Sequence, residues 1–343
     1  MPQTTMPDRA GQTTAFLAAR GWQAARRAPL AGDASARRYE RLHLAGATAV
    51  LMDAPPGPAN GVAQFVRIAG VLSGFGLSAP SITAHDPQAG LLLLEDLGRD
   101  VFAGLIARRP GLETLLYKAA VDVLVALHRH PPPPGLTALD PETLGAMTSP
   151  LIRHYIPGAT GHASGAGPAI AAEIARLAAA LCPQTPVMAL RDYHAENLLW
   201  LPARAGPARV GLLDFQDAVA SHAAYDLVSL LRDARRDVPA GLQTALSLRY
   251  AALTRQGAGF DAAMALLGAQ RNLRILGVFA RLCQEQGKPH YVALMPRVWR
   301  HLRRDLSHPA LARLAALVQT HVPEPDPAAL QRMRIACPQA PTT

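Results

Sequence analysis

The first hundred residues alternate between strand-like and helical patterns of hydrophobic positions. The runs RRYERLHL (37–44) and TAVLMDA (48–54) are typical of β-strands, and a turn at Gly46 can join them as a hairpin. A helical segment over 64–76 follows, and the apolar run LLLLEDLG (91–98) predicts a buried strand ending in two carboxylates and a glycine. A further helix and an edge strand are predicted over 11–20 and within 78–90.

Beyond residue 98 the pattern becomes helical. Residues 111–130 carry apolar side chains at the i, i+3, i+4 spacing of an amphipathic helix, and 225–320 is helical in all its long segments. Two short strands are predicted over 186–190 and 209–214, and the Gly- and Ala-rich stretch 156–168 is predicted to be a mobile loop. We therefore predict an α+β fold, with a small antiparallel-sheet N-terminal lobe over 1–97 and a larger, mainly helical lobe over 98–343.

Polar residues are concentrated in LRDYHAENLLWL (190–201), directly before an apolar run. Such loops on a rigid scaffold often carry chemistry. Asn197 in this loop and Asp214 at the end of the next strand are oxygen ligands of the kind that Mg²⁺ takes together with substrate phosphates. Asp192 beside them can orient an attacking hydroxyl or accept its proton. This layout predicts a phosphotransferase.

Composition indicates a globular protein, with 50% hydrophobic residues in a chain of 343. No apolar run approaches the roughly 20 residues that cross a bilayer, and the first residues lack the pattern of a signal peptide. The cysteines, Cys182, Cys283 and Cys337, form no CxxC pair and indicate neither a disulfide framework nor a thiolate zinc site. We expect a cytoplasmic protein without a membrane partner.

The formal charge of +9 comes almost wholly from arginine, since Lys118 and Lys288 are the only lysines. No cluster of arginines interleaved with aromatic residues is present, so the charge favours a solvated basic surface over a nucleic-acid interface. An anionic small substrate or a nucleotide would also suit it. The sequence indicates no nucleic-acid partner and no obligate protein partner.

The motif D-x-H-x-x-N (192–197), followed by a strand that ends in D-F (214–215), resembles the aminoglycoside phosphotransferase and choline kinase superfamily, relatives of protein kinases. The resemblance is greatest to the bacterial kinases that phosphorylate the anomeric hydroxyl of N-acetylmuramate and N-acetylglucosamine in peptidoglycan recycling. It rests on successive blocks in the same order, GDASARRYERL (32–42), VLMDAPP (50–56), LLLLEDLG (91–98), RDYHAENLL (191–199) and LLDFQDAVASHAAYDLVSLLRDA (212–234).

The resemblance implies a two-lobe, protein-kinase-like fold that uses ATP and Mg²⁺. It implies that Asp192 is catalytic, that Asn197 and Asp214 bind the metal, and that the buried Asp226 accepts hydrogen bonds from the catalytic loop. It also implies that backbone groups of Glu95 and Leu97 contact adenine. Gly32, Asp33 and Ser35 form a tight turn whose N–H groups can face phosphate, although an ordinary hairpin turn would have the same residues.

The chain departs from the kinase pattern at several positions. No lysine precedes Lys118, and Met52 stands roughly where kinases place the phosphate-binding lysine. Arg37, Arg38 or the metal would then supply the missing positive charge, and arginine would do so with a fork of donors. Leu190 replaces the histidine that usually opens the catalytic motif. Gln216 stands where protein kinases have glycine, which suits a small-molecule kinase.

Four residues near the motif are candidates for substrate contacts: His194, Asp217, Arg232 and Asp233. Asp217 can contact a sugar hydroxyl, and Arg232, Asp233 and Arg235, which follow the Asp226 helix, can reach the substrate's lactyl carboxylate. A structural histidine and an exposed helix face explain His194 and the Arg232–Asp233 pair equally well.

Three alternatives stay open at this point. The same fold can act on another acceptor, such as an aminoglycoside, a choline-like alcohol or another sugar, although 5% aromatic residues and a positive chain favour neither of the first two. The alternation of Asp192, His194 and Glu196 can belong to a metal hydrolase that requires further ligands. The missing lysine and Leu190 also allow a non-catalytic pseudokinase.

Overall fold

A computed structural model of the chain describes residues 9–30, 37–55, 62–183 and 186–338. The sequence-predicted phosphate-binding residues Gly32, Asp33 and Ser35 lie outside the described residues.

Within the described residues, five strands form one antiparallel sheet near the N-terminus. They are β1 (Arg26–Leu30), β2 (Arg38–Leu44), β3 (Ala47–Asp53), β4 (Ile82–Asp86) and β5 (Leu91–Glu95), in the spatial order β1-β2-β3-β5-β4. The predicted hairpin is confirmed, because β2 pairs with β3 and Gly46 at the turn has a φ of 82°. The strand predicted within 78–90 is confirmed at an edge of the sheet. The opposite edge strand, β1, was not predicted.

The period-two pattern of the strands explains how this sheet is covered. Alternate residues of β3 and β5 point to one face, where Leu51 and Leu93 pair directly and are buried. Helix α1 (Arg9–Ala18) contributes Phe16 and Leu17 to the same apolar cluster. Burial of this cluster stabilises the sheet, since removal of apolar area from water contributes about 25 cal/mol per Å².

Helices make up most of the remaining chain. The helices after α1 are α2 (Val62–Gly74), α3 (Phe102–Arg108), α4 (Glu113–Leu127), α5 (Pro141–Ala146), α6 (Ile156–Thr160), α7 (Gly167–Leu181), α8 (Ala224–Leu231), α9 (Ala240–Thr254), α10 (Phe260–Gln286), α11 (Met295–Leu306), α12 (Ala312–His321) and α13 (Pro327–Ile335). Among the residues that the structure describes, no helix has both the length and the apolar content required to cross a bilayer. The α+β prediction, with an N-terminal antiparallel sheet followed by a mainly helical region, is confirmed.

The segment 156–168 differs from its prediction as a mobile loop. Leu151–Tyr155 forms a π-helical turn that continues into α6, and α6 ends at Gly161 in a left-handed conformation with a φ of 81°. Pro157 lies in the first turn of α6, directly after the π-helical turn, and it has no N–H to donate to that turn. The glycines therefore end one helix and begin another, and only a short connection separates α6 from α7.

In the described part of the chain after β5, four short strands interrupt the helices. Strands β6 (Val187–Ala189) and β9 (Val219–Ser221) pair with each other, and β7 (Leu198–Trp200) pairs with β8 (Val210–Leu212), both antiparallel. The predicted strands over 186–190 and 209–214 are thus confirmed as β6 and β8. Their pairing places a hairpin, β7–β8, within the sequence enclosed by β6 and β9.

The chain divides into two compact units, one of Met1–Val123 with Glu196–Asp217 and the other of Leu124–Ala195 with Ala218–Thr343. The β7–β8 hairpin belongs to the first unit because Ser78 holds it: the Ser78 hydroxyl donates to the Ala208 carbonyl at 2.6 Å, and the Leu212 N–H donates to the Ser78 carbonyl at 2.9 Å. This division follows packing, and the functional division after residue 97 stays a prediction.

Candidate active site

In the first unit, the β7–β8 hairpin carries Asn197 and Asp214 at one end. Leu198 pairs with Leu212, and the Leu213 N–H donates to the Asn197 carbonyl at 3.0 Å. Asn197 immediately precedes β7 and Asp214 follows β8, so the hairpin register alone brings these two residues to the same end. The structure therefore has the two sequence-predicted metal ligands together.

The backbone and neighbours of Asp214 orient its carboxylate. Asp214 has a left-handed φ of 56°, and Gln216 Nε2 donates to Asp214 Oδ1 at 2.8 Å. Among the described residues, the buried Gln216 Oε1 has no hydrogen-bond partner. The amide oxygen of Asn197, the carboxylate of Asp214 and this unpartnered oxygen are hard ligands, so the residues fit a site for Mg²⁺.

Arg37 and Tyr39 of the first unit lie near Asp214. Burial raises the pKa of the Tyr39 hydroxyl, and the charge of Asp214 raises it further, while Arg37 opposes the rise and forms a hydrogen bond with Tyr39. Tyr39 pairs across the sheet with Met52, the residue in the place of the usual lysine. The buried Arg37 thus lies directly before β2, the strand that pairs with the strand of Met52. The Arg38 side chain, in contrast, is exposed.

The segment after β5 is held rigidly. Arg41 donates to both carboxylate oxygens of Asp96 at 2.8 and 3.0 Å and to the Gly98 carbonyl at 2.6 Å. The Glu95 N–H donates to the Ser81 carbonyl at 2.8 Å. Because this N–H already has an acceptor, the Glu95 carbonyl is the backbone group that could contact adenine. Leu97 is buried.

In the second unit, the loop that bears Asp192 is fixed by Asp226 of α8. The Asp226 carboxylate accepts from the N–H groups of Leu190 at 2.6 Å and Arg191 at 2.9 Å. Burial raises the pKa of Asp226 to about 6, and these two donors oppose the rise. The Ser229 hydroxyl also donates to the Arg191 carbonyl at 3.0 Å. The predicted hydrogen bonds between Asp226 and this loop are present.

Positive charge surrounds Asp192. Arg271 Nη2 lies 3.6 Å from Asp192 Oδ1, and the Asp192 side chain is 40% exposed. Burial raises the pKa of Asp192, but the charges of Arg271 and other basic neighbours outweigh burial and hold it below its usual value. The carboxylate is therefore ionised at neutral pH and able to accept a hydrogen bond from a hydroxyl group.

His194 and Asp233 also lie in the second unit, near each other. Burial lowers the pKa of His194 to about 4, so its imidazole is neutral, and Arg235 Nη1 is 3.4 Å from its Nε2. Asp233 Oδ1 accepts from the Arg235 N–H at 2.8 Å, and among the described residues its buried Oδ2 has no hydrogen-bond partner. Asp217, in the first unit, is exposed, and its Oδ2 lies 3.4 Å from Gln216 Nε2.

Arg232 was predicted to contact substrate, but the structure places it in a buried network of protein side chains. Its Nε donates to Asp305 at 3.0 Å and its Nη1 to Gln243 at 2.7 Å, and all three side chains are buried. Burial raises the pKa of Asp305 to about 6, and Arg232 opposes the rise. Because the Arg232 guanidinium is committed to this network, its predicted contact with a substrate carboxylate receives no support here.

Sequence reasoning missed Arg271 and Arg274 on α10 and the contact of Gln216 with Asp214. The signal for the first two was available, because the stretch AQRNLR (269–274) places several polar residues in an otherwise apolar, buried helix. A buried polar cluster of this kind requires partners. Among the described residues, no group of three or more His, Cys, Asp or Glu side chains is arranged to hold a metal ion.

Comparison with known proteins identifies a family and similar sequences. A family model described as the phosphotransferase enzyme family matches residues 26–266. An N-acetylmuramate/N-acetylglucosamine kinase from Caulobacter vibrioides is 40% identical in sequence, and the alignment covers 93% of this chain and 98% of that protein.

Solved structures share the fold at low sequence identity. A choline/ethanolamine kinase family protein from Mesorhizobium loti has a TM-score of 0.61 at 17% identity, covering 91% of this chain and 100% of that chain. An aminoglycoside phosphotransferase from Streptomyces rimosus, in complex with ADP and streptomycin, has a TM-score of 0.52 at 18% identity, covering 78% of this chain and 97% of that chain. The family match and the relative at 40% identity mean that the chain belongs to the phosphotransferase enzyme family, together with the N-acetylmuramate/N-acetylglucosamine kinases.

Proposed function

We propose that this protein transfers the γ-phosphoryl group of ATP to the anomeric C1 hydroxyl of N-acetylmuramate and N-acetylglucosamine. The observation that carries the proposal is the 40% identity, over nearly the whole length of both chains, to an enzyme described as a kinase of these two sugars. Because the reaction consumes ATP, we also propose that the protein acts in the cytoplasm. We further propose that both sugars reach the protein as products of peptidoglycan breakdown, in keeping with the resemblance to recycling kinases.

Asp192 is the proposed catalytic residue. The acceptor oxygen forms a bond to the γ-phosphorus, the bond from that phosphorus to the β–γ bridging oxygen breaks, and ADP leaves. The hydroxyl proton passes to Asp192, which is ionised at neutral pH because Arg271 and its neighbours lower its pKa against the effect of burial. Asp226 is a positioning residue, since it accepts two backbone N–H groups of the Asp192 loop.

Asn197 and Asp214 are the proposed metal ligands, and Gln216 is the residue that positions Asp214. Their location at one end of the β7–β8 hairpin and their oxygen donors support this assignment. When bound, Mg²⁺ offsets the negative charge of the phosphate oxygens. The protein's contribution is to hold the ligands in place before ATP binds, which makes the arrangement one of positioning and charge stabilisation.

The first unit supplies the proposed ATP contacts. The Glu95 carbonyl and the Leu97 backbone face adenine, and Arg37 replaces the lysine that kinases use on the phosphates. Two observations support the assignment of Arg37. Arg37 is buried beside Tyr39, and Tyr39 is near enough to Asp214 for the charge of that carboxylate to raise the Tyr39 pKa. Gly32, Asp33 and Ser35 stay candidates for phosphate contacts on the basis of the sequence. The ADP bound to the related Streptomyces rimosus enzyme supports an adenine nucleotide.

His194 and Asp233 are the proposed contacts to sugar hydroxyl groups. Neutral His194 both donates and accepts hydrogen bonds, and the unpartnered Oδ2 of the buried Asp233, as found among the described residues, is an acceptor for a hydroxyl group. Asp217 is a weaker candidate, because it is exposed and belongs to the other compact unit.

A ³¹P NMR time course with ATP, Mg²⁺ and each sugar tests the proposal. We expect the ATP signals to give way to ADP and a sugar phosphate whose phosphorus couples to the single anomeric hydrogen. A 6-phosphate would show coupling to two hydrogens, and the acceptor would then be the C6 hydroxyl and not the C1 hydroxyl. If neither sugar consumes ATP while an aminoglycoside or a choline-like alcohol does, the acceptor assignment is wrong.

A thermal-shift titration with Mg–ATP addresses the pseudokinase alternative. We expect the melting temperature to rise with nucleotide concentration, because a ligand that binds only the folded state stabilises it. A flat titration together with an inactive protein would favour a non-catalytic role instead.

A further inference from the structure

In the second unit, α10 directs two arginines toward the Asp192 loop. Arg271 Nη2 lies 3.6 Å from Asp192 Oδ1, and Arg271 Nη1 donates to the Arg191 carbonyl at 3.1 Å. Arg274 follows three residues later, on the same face of the helix, where Cβ atoms are roughly 5–6 Å apart. The loop residue Arg191 adds a further guanidinium, so positive charge is concentrated beside one carboxylate.

Arg274 stands out within this cluster because its guanidinium has no direct partner in the part of the chain that the structure describes. It is half-buried, and among the described residues it forms no hydrogen bond and no ion pair. Burial lowers the pKa of Arg274, and the charges of Arg191 and Arg271 lower it further, whereas Tyr225 and Asp192 oppose the change. An arginine keeps its proton under these conditions, and a charge withdrawn from water without a partner is costly.

A neighbouring hydroxyl is also unsatisfied. Tyr225 of α8 is close enough to Arg274 to affect its charge, is 1% exposed, and among the described residues its hydroxyl has no hydrogen-bond partner. Buried polar groups in proteins nearly always have a partner. Within the described ranges, two neighbouring donors on α8 and α10 thus lack an acceptor.

The nearby acids bind other groups. Asp226 accepts two N–H groups of the Asp192 loop, and Asp192 itself is next to Arg271. Asp233 accepts from the N–H of Arg235. Among the described residues, none of these carboxylates contacts Arg274 directly, so the cluster has room for one more negative charge.

We propose that Arg274, assisted by Arg271, binds the carboxylate of N-acetylmuramate and makes this sugar the preferred acceptor. The inference rests on the proposed function. N-acetylmuramate differs from N-acetylglucosamine by a lactyl ether that ends in a carboxylate, and that carboxylate is the negative charge that the cluster lacks. The guanidinium fork matches a carboxylate with two parallel hydrogen bonds. Arg274 is therefore a specificity-determining residue, and it replaces Arg232 in the role expected from sequence.

The test compares both sugars in one variant, Arg274→Gln, at saturating ATP. A lost charge-assisted hydrogen bond corresponds to about a 10- to 100-fold loss, so kcat/KM for N-acetylmuramate should fall by that factor, mainly through KM. N-acetylglucosamine has no carboxylate and should keep its kcat/KM. Since both values come from the same sample, partial misfolding cancels in their ratio. Arg281→Gln, an exposed position on the same helix, is the matched control and should leave both values unchanged.

Equal losses for both sugars would overturn the proposal, because they would show that Arg274 acts on the transferred phosphoryl group. Wild-type kcat/KM for both sugars would overturn it as well. If Arg274→Gln yields no folded protein, the wild-type enzyme answers the same question with the methyl amide of N-acetylmuramate. That neutral analogue should lose about 10- to 100-fold in kcat/KM relative to N-acetylmuramate, and equal turnover would refute the inference. Failure of the wild-type enzyme on both natural sugars would instead reject the proposed function.

Discussion

Two residues with strained backbones adjoin the proposed chemistry. Arg191 has a φ of 72° and Asp214 a φ of 56°, conformations that cost a non-glycine residue on the order of 1 kcal/mol or more. Both are held by specific bonds, Arg191 through Asp226 and Ser229, and Asp214 through Gln216. At the scale of the residue, the strain is balanced by contacts that orient the proposed catalytic loop and one proposed metal ligand.

Replacement of the Asp192 carboxylate tests its role. Asp192→Asn keeps the shape of the side chain but removes the proton acceptor, so we expect kcat to fall by about 10²- to 10⁴-fold. Steady-state kinetics with either sugar measure the loss, and a melting curve checks that the variant is folded. Turnover at the wild-type level would show that Asp192 has no such role.

Arg37 and Arg38 form a natural pair for testing the missing lysine. Arg37 is buried beside Tyr39, whereas Arg38 is exposed. We expect Arg37→Gln to raise KM for ATP by about 10-fold or more, as the loss of a charged hydrogen-bond donor does. Arg38→Gln should leave that KM unchanged. A larger rise in KM for ATP in Arg38→Gln, or an equal rise in both variants, would show that Arg37 is not the phosphate contact.

At the scale of the element, α10 serves packing and chemistry at once. The helix is buried over most of its length and presents Arg271 and Arg274 toward the Asp192 loop. Further along the same helix, Gly277 allows a close approach to the backbone of Pro150 and Leu151, because a Cβ on Gly277 would lie 2.2 Å from the Leu151 nitrogen. The glycine thus sets how closely α10 packs within its unit.

A pair of glycine-to-alanine changes isolates this packing. Gly277→Ala should destabilise the protein by about 1–3 kcal/mol, because the added methyl group overlaps backbone atoms that cannot rotate away. In α2, a Cβ on the exposed Gly70 would meet nothing within 4 Å, so Gly70→Ala should gain about 0.5–1 kcal/mol from helix propensity. Urea unfolding measures both. A neutral Gly277→Ala would mean that α10 can shift without cost.

At the scale of the whole molecule, buried histidines couple stability to pH. Burial lowers to about 4 the pKa of four histidines, which are His128, His194, His222 and His301. The unfolded chain takes up protons near pH 6.5, whereas the folded chain resists protonation until about pH 4. The unfolded state therefore binds more protons between these values, and the free energy of unfolding falls as pH falls through this window.

His222→Asn tests this linkage, because its amide oxygen can replace the Nδ1 that accepts from the Ala224 N–H at 3.2 Å and cannot titrate. Each buried histidine should contribute about 1.4 kcal/mol per pH unit between about pH 6.5 and 4, so the variant should show a slope that is smaller by this amount. Chemical denaturation at a series of pH values gives the slope. His321→Asn, at an exposed position, should leave the slope unchanged.

Local patterns were sufficient for part of the fold and for the motif residues. The β2–β3 hairpin, the edge strand β4 and the helix α4 followed from periodicity and turn residues, which act over a few neighbouring positions. Strand β1 was missed because its five residues include a proline and no regular alternation. The helix α6 was missed because its glycine and proline resemble a loop until the preceding π-helical turn is known.

Side-chain partners far apart in sequence could not be predicted in the same way. Arg41 binds Asp96, and Arg271 lies beside Asp192. Arg232 binds Asp305, which withdrew it from the predicted substrate site. Each pair depends on how distant segments pack, and the periodic pattern of one segment does not predict which residue of another segment will be its partner.

The sequence by itself determined the family, most of the strands and helices and the positions of Asp192, Asn197 and Asp214, because motif spacing and hydrophobic period are properties of neighbouring residues. The tertiary structure decided which charges are compensated. It joined Asn197 and Asp214 through the hairpin register, gave Arg232 a buried partner, and among the described residues left Arg274 without one. Charge compensation depends on distances between side chains brought together by folding, and those distances are set by the packing of helices and short strands that lie far apart in the chain.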